Sequence, residues 1–280
     1  MPDFPIPEGF DVDACKYCAA IFIVKNDISI KPDLIHPNGT VIFIECDGFY
    51  YLMTCMHVVE ELLSLEETNE HRYTFATFNS STLRIINRFQ RVPSGVNGKP
   101  IDIAIRQIKS GYAPRINKKF ITLSRKDELP TNLAHAVSVG FPKENMRKDE
   151  ITGSKDYTIA MPCVHALAEK VVSFDEDRFR LFSTIDTEPS TIKLGGMSGG
   201  PTYWTTDNQY GLLGITCEAS PTRPDKDSAS LYGDKYVVSV VGEVVTYERF
   251  KSWIDELDLK DVRYNGQPLE IRTNIAIDEA

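Results

Sequence analysis

The chain lacks most of what would carry it to a membrane or to nucleic acid. None of its apolar runs approaches the ~20 residues that span a bilayer. The N-terminal Met-Pro-Asp-Phe-Pro-Ile-Pro-Glu has no basic stretch followed by an apolar one, so no secretory leader is expected, and Met1 is retained. Basic residues are in the minority, 31 Lys and Arg against 40 Asp and Glu, and the net charge of −9 argues against polyanionic partners and anionic bilayers. Cysteine is sparse as well. Of the six, none directly follows His57 and none closely flanks Ser198. Cys46, Cys55 and Cys217 lie in apolar runs and read as small core residues, which predicts reduced thiols and a cytoplasmic location. Cys15-x-x-Cys18 is the one close pair. It would become a zinc site only if residues such as Cys163 and His165 completed it, and no metal or cofactor is expected.

With 42% hydrophobic and 25% charged residues the chain can bury a substantial core, and 280 residues allow one or two domains. The stretch with the most chemistry is Gly195-Gly196-Met197-Ser198-Gly199-Gly200-Pro201. Glycine lets backbone amides approach a ligand closely and take positive φ. Two amides converging on one point make a site for a developing oxyanion, and a serine in such a loop is a candidate nucleophile. The plainer reading is a tight turn. Gly196-x-Ser198-x-Gly200 also fits the elbow of α/β-hydrolases, but that fold needs its histidine after the serine. All five histidines (His36, His57, His71, His135, His165) precede Ser198, so that reading is excluded.

The order that survives is His, Asp, Ser. A serine hydroxyl needs an imidazole to take its proton, and the imidazole needs a carboxylate to fix its tautomer. His57 lies in Tyr50-Tyr51-Leu52-Met53-Thr54-Cys55-Met56-His57-Val58-Val59, a β-rich run turning helical. Asp102 interrupts Ile101-Asp102-Ile103-Ala104-Ile105, where a carboxylate in a strand is costly to bury unless it is paired. The other histidines have structural readings: His36 at a turn before Pro37, His71 on the surface, His135 and His165 at strand edges.

The segments Thr-x-x-His-Val-Val, Asp-Ile-Ala and Gly-x-Ser-Gly-Gly-Pro, in this order, resemble the trypsin-like (chymotrypsin-fold) serine proteases. The resemblance implies an all-β fold of two six-stranded antiparallel β-barrels with a C-terminal α-helix. It implies His57 as general base, Asp102 as orienting carboxylate and Ser198 as nucleophile. The amides of Gly196 and Ser198 would form the oxyanion hole. Ile215, Thr216 and Cys217 would form the strand that pairs with substrate, while Ile192 and Lys193 lie where the floor of the specificity pocket is set. Without a carboxylate at Ile192, cleavage after small or medium apolar residues is expected, acidic ones being the runner-up and Arg or Lys disfavoured. Met197 replaces the aspartate that receives a new N-terminus in animal trypsins. This points to the disulfide-free HtrA-like branch, here without room for its PDZ domain. The implied activity is that of a serine endopeptidase on protein or peptide substrates, restrained by an activating or inhibitory protein partner. The alternative is a catalytically silent binding module on the same fold.

In chain order, residues 1–18 read as an N-terminal arm and 19–108 as a first barrel carrying His and Asp. Residues 109–129 read as a linker with one short strand, 130–245 as a second barrel carrying Ser, and 246–280 as a closing helix and tail. Asp47-Gly48 is a strong two-residue hairpin signal between Val41–Cys46 and Phe49–Thr54. Leu83–Val92 and Asp156–Val164 each read as one strand, Lys143–Ser154 as a polar loop, and Glu218–Asp234 as a long loop. Phe250, Trp253, Ile254 and Leu257 recur at helical spacing.

Overall fold

A computed structural model describes residues 10, 14–25, 36–67, 73–79, 81–85, 89–93, 101–131, 133–142, 147–150, 157–160, 164–168, 170–185, 194–206, 208–222, 236–257 and 259. The expected class holds: the protein is all-β, built on two large antiparallel sheets, with a C-terminal helix. The first sheet contains β1 (Cys18–Lys25), β2 (His36–Cys46), β3 (Phe49–Thr54), β4 (Tyr73–Asn79), β5 (Ser81–Ile85), β6 (Gln90–Arg91) and β7 (Ala104–Ile108). Their order is β5-β4-β1-β2-β3-β7-β6, and β8 (Ile121–Leu123) pairs with β2 in parallel. Helix α1 (Met56–Glu67) follows β3, and α2 (Tyr112–Arg115) is a single turn ahead of β8.

The second sheet contains β9 (His135–Gly140), β12 (Val164–Ala168), β13 (Lys170–Phe174), β14 (Arg178–Ile185), β15 (Pro201–Thr205), β16 (Tyr210–Thr222) and β17 (Tyr236–Val244). Its order is β12-β9-β15-β16-β17-β14-β13. A separate ribbon pairs β10 (Arg147–Glu150) with β11 (Tyr157–Ala160). Helix α3 (Tyr247–Glu256) follows β17.

Local chemistry explains the elements that place the site. Asp47 and Gly48 both take positive φ, at 52° and 76°, which is what a two-residue hairpin turn requires. That turn sets the β2–β3 register, with Ile42 opposite Met53 and Cys46 opposite Phe49. β2 and β3 are deeply buried, with Val41, Ile42, Phe43, Ile44, Leu52 and Met53 all inaccessible. Thr246 caps α3 by accepting from the Arg249 amide at 3.3 Å. Phe250 and Trp253, three apart, are buried, and the Phe250 ring meets Tyr51 edge-on at 5.4 Å. Tyr247 donates from its hydroxyl to the Asp47 carboxylate at 2.9 Å, so the closing helix bolts onto the hairpin turn. A second, smaller core collects Ala136, Phe179, Leu181, Leu213, Val238, Val240 and Val244.

Several expectations needed correction in detail. The stretch Leu83–Val92 is not strand at Phe89, between β5 and β6; of Asp156–Val164, residues 156 and 161–163 lie outside the described residues and the rest fall in β11 and β12. β10 lies in what reads as a polar loop, because Arg-Lys-Asp-Glu has no apolar alternation and only backbone pairing to β11 makes it a strand. β16 runs on to Thr222, into the expected loop, because β17 pairs with it as far as Val237. β15 opens with Pro201, a position where a missing amide is tolerated.

Candidate active site

His57 is the second residue of α1, immediately beyond β3. Its position is fixed from outside the helix. The His57 amide donates to Oδ1 of Asp102 at 2.9 Å, and the Met56 amide donates to the Asp102 carbonyl at 3.3 Å. Asp102 therefore caps the first turn of α1, where free amides and the helix dipole both favour a carboxylate. The same carboxylate turns its other oxygen to the ring, with Oδ2 2.5 Å from Nδ1 of His57. One aspartate thus anchors both backbone and imidazole.

Asp102 lies just ahead of β7, not within a strand, and its side chain is 35% exposed, so the expected burial is not found. The apolar alternation survives: Ile101 and Ile103 point into the core and Asp102 points away, toward His57. The hydrogen bond to Asp102 raises the His57 pKa above its ordinary value against the opposing effect of burial, and Glu61 and Glu60 add to the rise. Burial pushes the Asp102 carboxyl up, but the bonds from the His57 ring and amide outweigh it and hold it below its ordinary value.

Ser198 sits in the turn between residue 194 and β15. Gly196 and Gly199 take φ of 98° and 86° on either side of it. The Met197 amide donates to the Leu194 carbonyl at 3.1 Å, and the Gly200 amide to the Met197 carbonyl at 2.9 Å. Among the described residues, neither the Gly196 nor the Ser198 amide is engaged by an acceptor. Met197 is fully buried, its sulfur against Gly140.

Thr40, which the sequence did not single out, braces this loop from the first sheet. Its amide donates to the Ser198 carbonyl at 2.9 Å, and its hydroxyl donates to the Gly196 carbonyl at 2.8 Å and accepts from the Phe141 amide at 3.1 Å. From beneath, the Thr54 hydroxyl donates to the Thr40 carbonyl at 2.7 Å. Thr216 ties the loop to β16, accepting from the Gly199 amide and donating to the Gly200 carbonyl, both at 2.8 Å.

The Ser198 hydroxyl donates to the Cys217 carbonyl at 2.9 Å. That carbonyl is available because β16 bulges there: Thr216 pairs with Gly242 and Glu218 with Val241, leaving Cys217 without a cross-strand partner.

A cavity of about 450 Å³ brings His57, Asp102 and Ser198 together with Leu194, Gly195, Arg178, Cys217, Glu218, Ala219, Val241, Gly242 and Glu243. Cys217 lines it, whereas Ile215 and Thr216, just before it on β16, are fully buried. Ile192 and Lys193 lie outside the described residues. Glu218 lines the cavity together with Arg178 and Glu243, two charged residues that the sequence pattern did not reveal. Nε of Arg178 donates to buried Glu243 at 2.8 Å, and Arg249 pairs with the other Glu243 oxygen at 3.0 Å.

Of the conceivable zinc set, Cys15 and Cys18 form no disulfide among the described residues; Cys163 and the side chain of His165 lie outside them. No helix among the described residues is long and apolar enough to cross a membrane.

No family model matches the chain, and neither does any curated protein. Among solved structures it is similar to the scabies mite inactivated protease paralogue S-I1, at 13% identity over 90% of this chain and 98% of that one, with a TM-score of 0.45. It is also similar, at 14% identity over 86% of this chain and 92% of that one, to a structure from Sesbania mosaic virus, with a TM-score of 0.39. That structure is described by the coupled folding and binding of the intrinsically disordered VPg protein. Likenesses this distant bear on neither activity nor partners.

Proposed function

We propose that this protein is a serine endopeptidase of the trypsin-like kind, with His57, Asp102 and Ser198 as its triad. The observation that carries the reading is the His57–Asp102 pair facing, across one cavity, a serine loop whose Gly196 and Ser198 amides are not engaged by any described acceptor. His57 takes the Ser198 proton while Asp102 stabilises the imidazolium. The serine oxygen attacks a peptide carbonyl, and the two amides receive the oxyanion. His57 then protonates the leaving amine, and water repeats the sequence on the acyl-enzyme. The groups that move protons and hold charge are all supplied by the chain.

In the resting arrangement Ser198 is bonded to Cys217, not to His57, so rotation about its χ1 precedes attack. Nucleophile–base bonds often tighten only when substrate is present. This resting bond also suits an enzyme restrained by a protein partner. Met197 supports restraint of a kind other than N-terminal activation, since its buried thioether offers no charge for a new amine. An intracellular, HtrA-like setting fits the reduced cysteines.

The same Ser198–Cys217 bond favours a second reading, a silent module that binds peptide without turnover. A serine-directed fluorophosphonate distinguishes the two: the protease is labelled on Ser198 and loses the label in Ser198→Ala, whereas the silent module takes none.

A further inference from the structure

Cys55 has no role in the proposed chemistry, yet it lies two residues before His57. It is fully buried, and its thiol donates to the Thr216 carbonyl at 3.2 Å. Its sulfur, a ring nitrogen of His57 and a carboxylate oxygen of Asp102 all lie within 4.8 Å of one another. Among the described residues this is the one group of three Cys, His, Asp or Glu side chains so arranged. A tetrahedral zinc ion sits about 2.3 Å from sulfur and about 2.0–2.2 Å from nitrogen or oxygen. Such bond lengths separate the ligand atoms by roughly 3.3–3.6 Å. The trio therefore closes on a cation with side-chain adjustments on the order of 1 Å.

We propose that Cys55, His57 and Asp102 form an inhibitory site for a thiophilic divalent cation of the zinc type, with its fourth position open to water in the adjoining cavity. The inhibition rests on the proteolytic reading above; the binding does not. When the ion enters, the Cys55 thiol loses its proton to solvent and forms the sulfur–metal bond, and no electron changes hands. The cation holds one ring nitrogen of His57 and the other carries the ring hydrogen, so no lone pair is left to accept the serine proton. Thiolate and carboxylate together match the charge of a divalent ion. Glu60 and Glu61 lie close enough on α1 to add to the negative field at His57. With a thiolate sulfur and an imidazole nitrogen among its three donors, the site selects an ion with strong affinity for such ligands and passes over calcium and magnesium.

The test uses the full chain with its thiols kept reduced by a phosphine. In Ser198→Ala, which removes the nucleophile and keeps the trio, Co²⁺ serves as the spectroscopic probe. One equivalent should produce a thiolate-to-cobalt charge-transfer band that Zn²⁺ displaces and excess Ca²⁺ or Mg²⁺ does not. Adding Cys55→Ala should abolish the band. His57→Ala, a half-exposed position whose change does not threaten the fold, should weaken cobalt binding at least tenfold. Absence of the band, or a band unaltered by both changes, overturns the proposal. In the chain that retains Ser198, Zn²⁺ should suppress peptide turnover and a chelator should restore it. Each variant is compared with itself, and zinc sensitivity as strong in Cys55→Ala as in the parent also overturns it. If no turnover is found while the cobalt band forms, the proteolytic reading falls and the metal site stands.

Discussion

The amide of Thr40, on the first sheet, donates to the carbonyl of Ser198, on the loop entering the second, at 2.9 Å. The Thr40 hydroxyl reaches Gly196, 156 residues away in sequence, at 2.8 Å. His57 hangs from β3 and Ser198 from the second sheet, so their mutual placement depends on contacts of this kind. Thr40 holds both carbonyls of the peptide units whose neighbouring amides are proposed to receive the oxyanion.

Replacing that hydroxyl tests the brace. Thr40→Val keeps the backbone bond and the shape but leaves the Gly196 carbonyl and the Phe141 amide without their partner. Leaving such groups unsatisfied costs about 1–3 kcal/mol, and misdirected oxyanion donors should lower kcat by about ten- to hundredfold with little change in KM. Thr40→Ser should restore most of the rate. Steady-state kinetics check this, and equal loss in Val and Ser variants would assign Thr40 to packing alone.

The pH profile follows from the His57–Asp102 pair. The His57 pKa is raised, so the pair favours folding in full below the ordinary histidine value of about 6.5 and loses that contribution as pH rises through the raised value. Activity has the opposite slope, since a general base must be neutral. The rate should climb through an inflection above about 6.5. The Asp102 pKa is lowered, so its contribution is present above the ordinary carboxylate value and is lost as pH falls through the lowered one. In Asp102→Asn the rate should fall by about 10⁴ and the residual inflection should move down. An unshifted inflection in kcat/KM would separate the pair.

Gly199 tolerates no side chain. Its φ is +86°, and an added Cβ would collide with the Thr40 carbonyl oxygen and the Thr54 hydroxyl. Both belong to the brace and cannot yield cheaply. Gly199→Ala should cost roughly 3 kcal/mol or more, read as a fall in the denaturant midpoint, and should abolish labelling of Ser198.

Arg178 should govern which residue precedes the cut. Its guanidinium lines the cavity and neutralises buried Glu243. A substrate cation would meet that positive charge first, so cleavage after Arg or Lys should be weak beside cleavage after small apolar or acidic residues. Arg178→Ala should raise relative cleavage after Lys, because Glu243 then keeps only Arg249 as a partner. A fluorogenic peptide library reads the change. Strong cleavage after Lys in the parent would place the effective charge on Glu218 instead.

Legibility in the sequence tracked locality. The Asp47-Gly48 turn, the helix at Phe250 and Trp253, and the three chemically distinctive segments are each written within a few residues. The Cys217 bulge is not, because it arises from the register of β16 against β17. Thr40 and Cys55 are ordinary letters until two sheets bring them to the site. Asp102 read as buried since its neighbours are apolar, yet its place two residues ahead of β7 gave it the His57 ring and partial access to water. Arg178 and Glu243 on the cavity wall were equally hidden, since they come from two different strands.

The most direct measurement is fluorophosphonate labelling of the purified chain with the adduct mapped by mass spectrometry. The proposed triad predicts one adduct, on Ser198, lost in Ser198→Ala, at least a thousandfold slower in His57→Ala by the usual scale of triad removal, and faster as His57 is deprotonated. No adduct at any pH, or labelling undiminished in Ser198→Ala, would contradict it.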